Sequence, residues 1–137
     1  VGNGELSPIF KNSPNVELLG KRPHNETLNL IKDAKALLFP SLWYEGMPMT
    51  IIEAFALKTP VIASDLGAMS SMIQHQKTGL LFDPSSINSL LEKVNYCLNE
   101  DIAMRSIANN AFMKYETEYS SNANYRMLKE VYSTLKK

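Results

Sequence analysis

The chain has 137 residues, enough to bury one core of ordinary size and too few for two full α/β domains. Lysine plus arginine and aspartate plus glutamate number 14 each, so no charge excess points to a nucleic acid or an anionic membrane, while a local positive site for a small phosphate compound stays open. The single cysteine, Cys97, cannot form an internal disulfide or a zinc site alone, and no apolar stretch approaches the roughly 20 residues that span a bilayer.

These features fit a cytoplasmic location, with peripheral association at the inner face of a membrane left open. The opening stretch "VGNGELSPIF" lacks an initiating methionine and reads as the end of a strand entering a glycine loop. Residues 1–137 are therefore expected to form one domain cut from a larger protein.

In chain order, short apolar runs at 16–19, 36–39, 60–63 and 79–82 are each bounded by Gly, Pro, Asn, Asp or Ser and predict strands. Between the first two, "NETLNLIKDA" predicts a helix with Leu28, Leu30 and Ile31 on one side and Asn25 as N-cap. Between the second and third, "PMTIIEAFALK" predicts a helix with Pro48 in its first turn and Ile51, Ile52, Phe55 and Ala56 at helical spacing. "MSSMIQHQ" allows a short helix, and after Asp83 and Pro84 come helical stretches near 86–99, 101–115 and 122–135. Alternating strands and helices predict a parallel sheet covered by helices, followed by a helical C-terminal tail. Right-handed crossovers place ligand sites at the carboxyl ends of the strands, here the loops 2–4, 20–22, 40–47 and 64–68.

The segment "YEGMPMTIIEA" carries Glu45 and Glu53 with seven residues between them, in a run otherwise almost wholly apolar. On one continuous helix their α-carbons would lie about 12 Å apart along the axis. Acid and base pairs that share one glycosidic bond hold their carboxyls roughly 5 to 9.5 Å apart, so two separate tasks are the better reading. Between the two glutamates lies a helix start whose first amides, near Met49 and Thr50, have no intrahelical acceptor and suit a phosphate. An ionised carboxylate can accept two hydrogen bonds from a diol. Carboxylate, anion site and carboxylate thus match, in order, the sugar, diphosphate and ribose of a nucleotide-sugar.

"FPSLWYEGMPMTIIEAFALKTPVIAS" resembles the donor-binding core of a retaining family-4 glycosyltransferase of the two-Rossmann-domain (GT-B) class, whose signature is E-x7-E preceded by Pro-Ser. "VGNGEL", "NVELLG" and "KTGLLFDP" match further blocks in the right order, so the likeness covers most of residues 1–84. The resemblance implies an α/β, Rossmann-like C-terminal half of a GT-B fold and a sugar transferred to a glycan or lipid-linked acceptor, as in hexosyltransferases of polysaccharide biosynthesis. Glu45 would contact the donor sugar and Glu53 the ribose. Backbone amides of Gly46, Met47, Met49 and Thr50 would meet the diphosphate, Gly20, Lys21 and Arg22 would border the base, and Gly2 and Gly4 would admit close backbone approach. The nucleotide-sugar is then a substrate, with no cofactor and no metal required, and the partner is an N-terminal acceptor-binding domain outside this chain. By itself the chain would be inactive.

The sequence also departs from that pattern. The Arg and Lys that the family brings to the diphosphate would lie upstream of Val1. Ala68 stands for a second glycine, Ser71 for a glutamate, and Lys58 for a glycine at a helix end where a left-handed residue is expected. The competing reading is a non-catalytic nucleotide-binding or interaction module of the same fold; a nucleotide-sugar epimerase is disfavoured because E-x7-E belongs to transferases by resemblance.

For the remaining residues the bland reading is favoured. Trp43 and Tyr44 are expected to pack under the loop rather than stack on a sugar or base. Met47 and Met49 are expected to fill gaps around the turn, and the other methionines to sit on core faces. His75 reads as an exposed loop residue rather than a base, His24 as an ordinary helix start with contact to the nucleotide as the alternative, and Cys97 as a small buried hydrophobe. Lys21 and Arg22 are either a solvated pair or a contact for a phosphate or an anionic membrane. Tyr125 and Tyr132 fall on one side of the last helix and are expected to pack, with contact to another domain as the alternative.

Overall fold

Three of the four apolar runs pair into a sheet. The structure, a computed structural model, describes residues 1–135. Strands β1 (Leu37–Phe39), β2 (Val61–Ser64) and β3 (Leu80–Phe82) are all parallel in the order β1-β2-β3, with Leu38 opposite Ile62 and Ala63 opposite Leu81. A central strand in a parallel sheet is covered on both faces, and all four residues of β2 are buried. Their alternation divides the core. Val61 and Ala63 join Ile31, Ile51, Phe55, Met69 and Ala111 on one face, and Ile62 joins Leu80, Phe82, Cys97, Met104 and Ile107 on the other.

Helix α1 (His24–Asp33) leads into β1, α2 (Met49–Ala56) joins β1 to β2, and α3 (Ala68–Met72) joins β2 to β3. Helices α4 (Ile87–Asn99) and α5 (Asp101–Lys114) follow, then a π-helical turn at Tyr115–Tyr119 and α6 (Ser121–Thr134). The fold class expected from the sequence, a Rossmann-like parallel sheet flanked by helices with a helical tail, is the one observed.

Helix α2 is held by burial. Ile51, Ala54 and Phe55 have no exposed surface, and at about 25 cal/mol per Å² the two large side chains, Ile51 and Phe55, each contribute roughly 1.5–3 kcal/mol. Its end is closed by a Schellman motif: Thr59 N–H donates to Ala54 O at 2.9 Å and Lys58 N–H to Phe55 O at 3.2 Å. Lys58 takes φ of 57°, the left-handed conformation expected at that position. The buried Thr59 hydroxyl then donates to Ile31 O at 2.8 Å, tying the end of α1 to the exit of α2.

Several expectations are corrected. Residues 16–19 form no strand: Val16 and Leu18 are 44% and 45% exposed, and a four-residue edge that buries neither face gains too little to order as a ladder. The free side of β1 is an open groove of about 420 Å³ between Val1, Leu30, Leu38 and Thr50. Asn25 does not cap α1; Pro23 does, and its carbonyl accepts from Thr27 N–H at 3.0 Å. Met69, Met72 and Met104 are core residues, whereas Met113 and Met127 are exposed. Tyr125 and Tyr132 are 67% and 64% exposed and do not pack within the described residues. Cys97 is buried as expected, which pushes its thiol pKa up.

Candidate functional site

The loop from Pro40 to Pro48 leaves the carboxyl end of β1 and delivers the chain to α2. Ser41 organises it: its hydroxyl accepts from Trp43 N–H at 3.3 Å and donates to Glu45 Oε1 at 3.1 Å. Glu45 is half-buried and anchored from its own loop. Gly46 has open space where a side chain would begin, and Pro48 is the N-cap of α2. The first turn-closing bond of α2 runs from Ile51 N–H to Pro48 O at 3.1 Å, so the amides of Met49 and Thr50 precede the helical ladder. Those amides and the positive end of the helix dipole form an anion-favouring spot between the two glutamates.

Glu53 lies in the middle of α2, its side chain 22% exposed, with the buried Ile52 and Ala54 on either side. Its Oε1 is 3.8 Å from His24 Nε2, at the first residue of α1. The glycine loops meet beside this helix start in sequence: Gly2 N–H donates to Gly20 O at 2.8 Å, and both glycines have positive φ, 123° and 66°. Gly4 O accepts from the Ser7 hydroxyl at 2.6 Å, which turns the chain into a short 3-10 helix, Ser7–Phe10. Arg22 pairs with Glu26 at 3.6 Å, and Lys21 is exposed.

The loop after β2 touches the loop after β1. Gly67 has φ of 54°, and a Cβ there would come within 2.9 Å of the Tyr44 ring. Asp65 accepts a hydrogen bond from the Ser70 hydroxyl at 2.5 Å, and Ser71 donates to Gly67 O at 3.4 Å. At the end of β2, Ser64 Oγ is fully buried and makes no hydrogen bond among the described residues.

Two packing expectations fail here. Trp43 and Tyr44 are each 80% exposed, and Met47 and Met49 are 60% and 56% exposed. The loop is too short to fold its aromatic rings beneath itself, because Ser41 and Glu45 already occupy its inner side; Tyr44 rests over Gly67 instead. Leu42 is 69% exposed, so the same loop presents a run of apolar side chains to solvent.

Ser41 and His24 are the residues whose part in the geometry was not anticipated. Ser41 was visible in the Pro-Ser pair, and its spacing of four from Glu45 permits the bond that forms. His24 had no local signal, since its approach to Glu53 depends on how α1 packs on α2. His75 is exposed as expected, yet its Nδ1 accepts from Leu81 N–H at 2.9 Å and so clips the edge strand β3. Among the described residues no three His, Cys, Asp or Glu side chains converge as a metal site, and no helix is long and apolar enough to cross a membrane.

This fold recurs in solved glycosyltransferases. The glycosyltransferase from Rickettsia africae superposes with a TM-score of 0.82 at 26% identity, covering 96% of this chain and 35% of that one. Anabaena Alr3699/HepE, solved in complex with UDP, shares the fold with a TM-score of 0.78 at 23% identity over 86% of this chain and 32% of its own. Among curated sequences, the putative teichuronic acid biosynthesis glycosyltransferase TuaC of Bacillus subtilis is 29% identical across 100% of this chain and 34% of its own length. The chain thus spans about a third of the relatives that it matches. Residues 6–114 match the family described as "Glycosyl transferases group 1", and with most of its length inside that match the chain belongs to this family.

Proposed function

We propose that the chain is the donor domain of a retaining glycosyltransferase that moves a sugar from a nucleotide-sugar to a glycan or lipid-linked acceptor. The observation that carries this reading is the pair of half-buried carboxylates, Glu45 and Glu53, set on either side of the free amides that open α2. The UDP complex of the Anabaena neighbour and the teichuronic acid role in the name of the Bacillus relative support a nucleotide-sugar donor and a polymer-building context.

In this reading Glu45, kept in place by Ser41, accepts hydrogen bonds from the donor sugar's hydroxyls, and Glu53 accepts from the ribose diol. The amides of Gly46, Met47, Met49 and Thr50 face the diphosphate. As the bond from the anomeric carbon to the diphosphate breaks, charge grows on the departing oxygen, and preorganised amides stabilise it without reorienting. Gly2, Gly4, Gly20, Lys21 and Arg22 border the nucleoside, mainly through backbone groups. The acceptor hydroxyl arrives from a second domain that closes over the donor, so that this chain alone binds nucleotide weakly and does not turn over.

The test is Glu45→Gln in the full-length protein, which keeps the shape and removes the charge. Transfer is expected to fall by at least a hundredfold, roughly the cost of one lost transition-state contact, while UDP affinity changes less than about twofold. Unchanged transfer would favour the non-catalytic module of the same fold.

A further inference from the structure

The donor-site reading leaves His24 without a task, although it is the group that meets Glu53. Of the described cationic side chains, His24 alone comes within 4.0 Å of the Glu53 carboxylate, Nε2 to Oε1 at 3.8 Å. That distance is too long for a hydrogen bond, so the carboxylate keeps its lone pairs free, and no other described donor bonds to it. A solvent-exposed contact of this length adds little to stability. Its consequence lies in where it holds the carboxylate.

The fold fixes the approach from both ends of α1. At the start, Pro23 caps the helix with φ of −55°, and its carbonyl accepts from both the Thr27 amide at 3.0 Å and the Thr27 hydroxyl at 3.2 Å. At the finish, the buried Thr59 hydroxyl joins Ile31 O, and Ile31 shares a core with Ile51, Ile52 and Phe55 of α2. His24 and Glu53 are therefore set opposite one another by two packed helices rather than by mobile loops. Of the charged neighbours on the His24 segment, Arg22 and Glu26 pair with each other at 3.6 Å, and the exposed Lys21 does not come within ion-pair distance of Glu53.

We propose that His24 is a positioning residue for Glu53: its Nε2–H closes on Oε1 when a nucleoside diphosphate binds, and so steers Oε2 toward the ribose 2′- and 3′-hydroxyls. The inference rests on the reading of Glu53 as the ribose contact. An imidazole donor on one carboxylate oxygen restricts rotation of the group and leaves the other oxygen as acceptor. His24 needs no contact with the base, the phosphate or the sugar that is transferred.

The test is calorimetric binding to the full-length protein, first with UDP, GDP and ADP, then with the tightest of these and its 2′-deoxy counterpart. His24→Ala is expected to weaken the ribonucleotide about tenfold, on the order of one lost charge-assisted hydrogen bond. His24→Gln, whose amide can still donate, should recover most of that loss. The 2′-deoxy nucleotide should bind wild type and His24→Ala within about twofold of each other, and His24→Ala should add no further loss in a Glu53→Gln background. An equal loss for ribo- and 2′-deoxynucleotide, no loss at all, or no recovery with Gln would overturn the proposal while leaving the ribose reading intact. The ribose reading itself fails, and takes the proposal with it, if Glu53→Gln binds the ribonucleotide as wild type does or if none of the three nucleotides binds.

Discussion

The two carboxylates of the E-x7-E segment stand in regions held by different physics. Glu53 rides on α2, whose Ile51, Ala54 and Phe55 are wholly enclosed, and it is fixed because the helix cannot move without opening the core. Glu45 sits on a loop that presents Leu42, Trp43, Tyr44 and Met47 to solvent, and its position rests on one bond from the Ser41 hydroxyl. A spacing of seven residues thus joins a rigid support to an adjustable one. That suits a site in which the nucleoside is a constant feature and the sugar is gripped only as another surface closes over it. It also ranks the two regions by how much a single substitution should cost.

Burial is the stronger support, and removing it should show the largest effect. Phe55→Ala deletes a ring with no exposed surface and leaves a cavity at the junction of α2 and β2. A loss of about 3–5 kcal/mol is expected in urea unfolding, a large part of the stability of a domain this size. Trp43→Ala, which removes a larger but 80% exposed ring, should stay within about 0.5 kcal/mol. Comparable losses for the two would mean that the loop is packed as firmly as the helix, and the contrast between the glutamates would collapse.

The same contrast explains what could be read from the sequence. Periodicity reports which residues suit burial, and it located β1, β2, β3 and helices α1 to α5, which find partners within the chain, as well as α6, which is exposed apart from Ala123. It failed at residues 16–19, where a run suited to a strand has no surface to cover it. It failed again at Trp43, Tyr44, Met47 and Met49, since a loop has no period and apolar character alone does not say whether a side chain turns inward. The left-handed Lys58 was legible because helix ends obey local rules. The approach of His24 to Glu53 was not, because it is created by the packing of α1 on α2 and leaves no mark in either segment.

A region held by single hydrogen bonds should respond to chemistry that leaves burial untouched, and His75 offers that test. Its Nδ1 accepts from Leu81 N–H, which requires the neutral ring. Although the residue is largely exposed, partial desolvation of its ring holds the pKa below the ordinary 6.5; Lys93 adds to that, and Asp65 and Glu92 oppose it. A histidine with a depressed folded pKa binds protons more readily when unfolded. Its contribution is therefore full above pH 6.5 and is lost as pH falls through 6.5 toward the lower folded value. Unfolding free energy is expected to drop across that window by less than about 1 kcal/mol, the scale of one hydrogen bond discounted for the solvent around an exposed ring. The drop should vanish in His75→Ala, which is less stable at neutral pH and flat across the same window, above the range in which Asp83 and Glu92 titrate. A wild-type curve that is equally flat would place β3 among the elements held by burial alone.

The smallest effect is expected where the two kinds of support meet, at the end of α2. Lys58 adopts φ of 57° to complete the Schellman motif, and a left-handed residue with a side chain costs about 1 kcal/mol. Glycine would remove that strain but adds freedom to the unfolded chain worth about 0.5–1 kcal/mol. Lys58→Gly also loses the ammonium that lies 4.5 Å from the centre of the Phe112 ring on α5, a contact worth about 0.5–1 kcal/mol. The three terms nearly cancel, so Lys58→Gly alone should change stability by less than about 1 kcal/mol. A double-mutant cycle with Phe112→Leu separates them: the coupling energy should be about 0.5–1 kcal/mol, with Lys58→Gly more favourable once the ring is gone. Zero coupling would show that the cap is set by backbone geometry alone, and that α2 needs no bond from α5 to keep Glu53 where the core puts it.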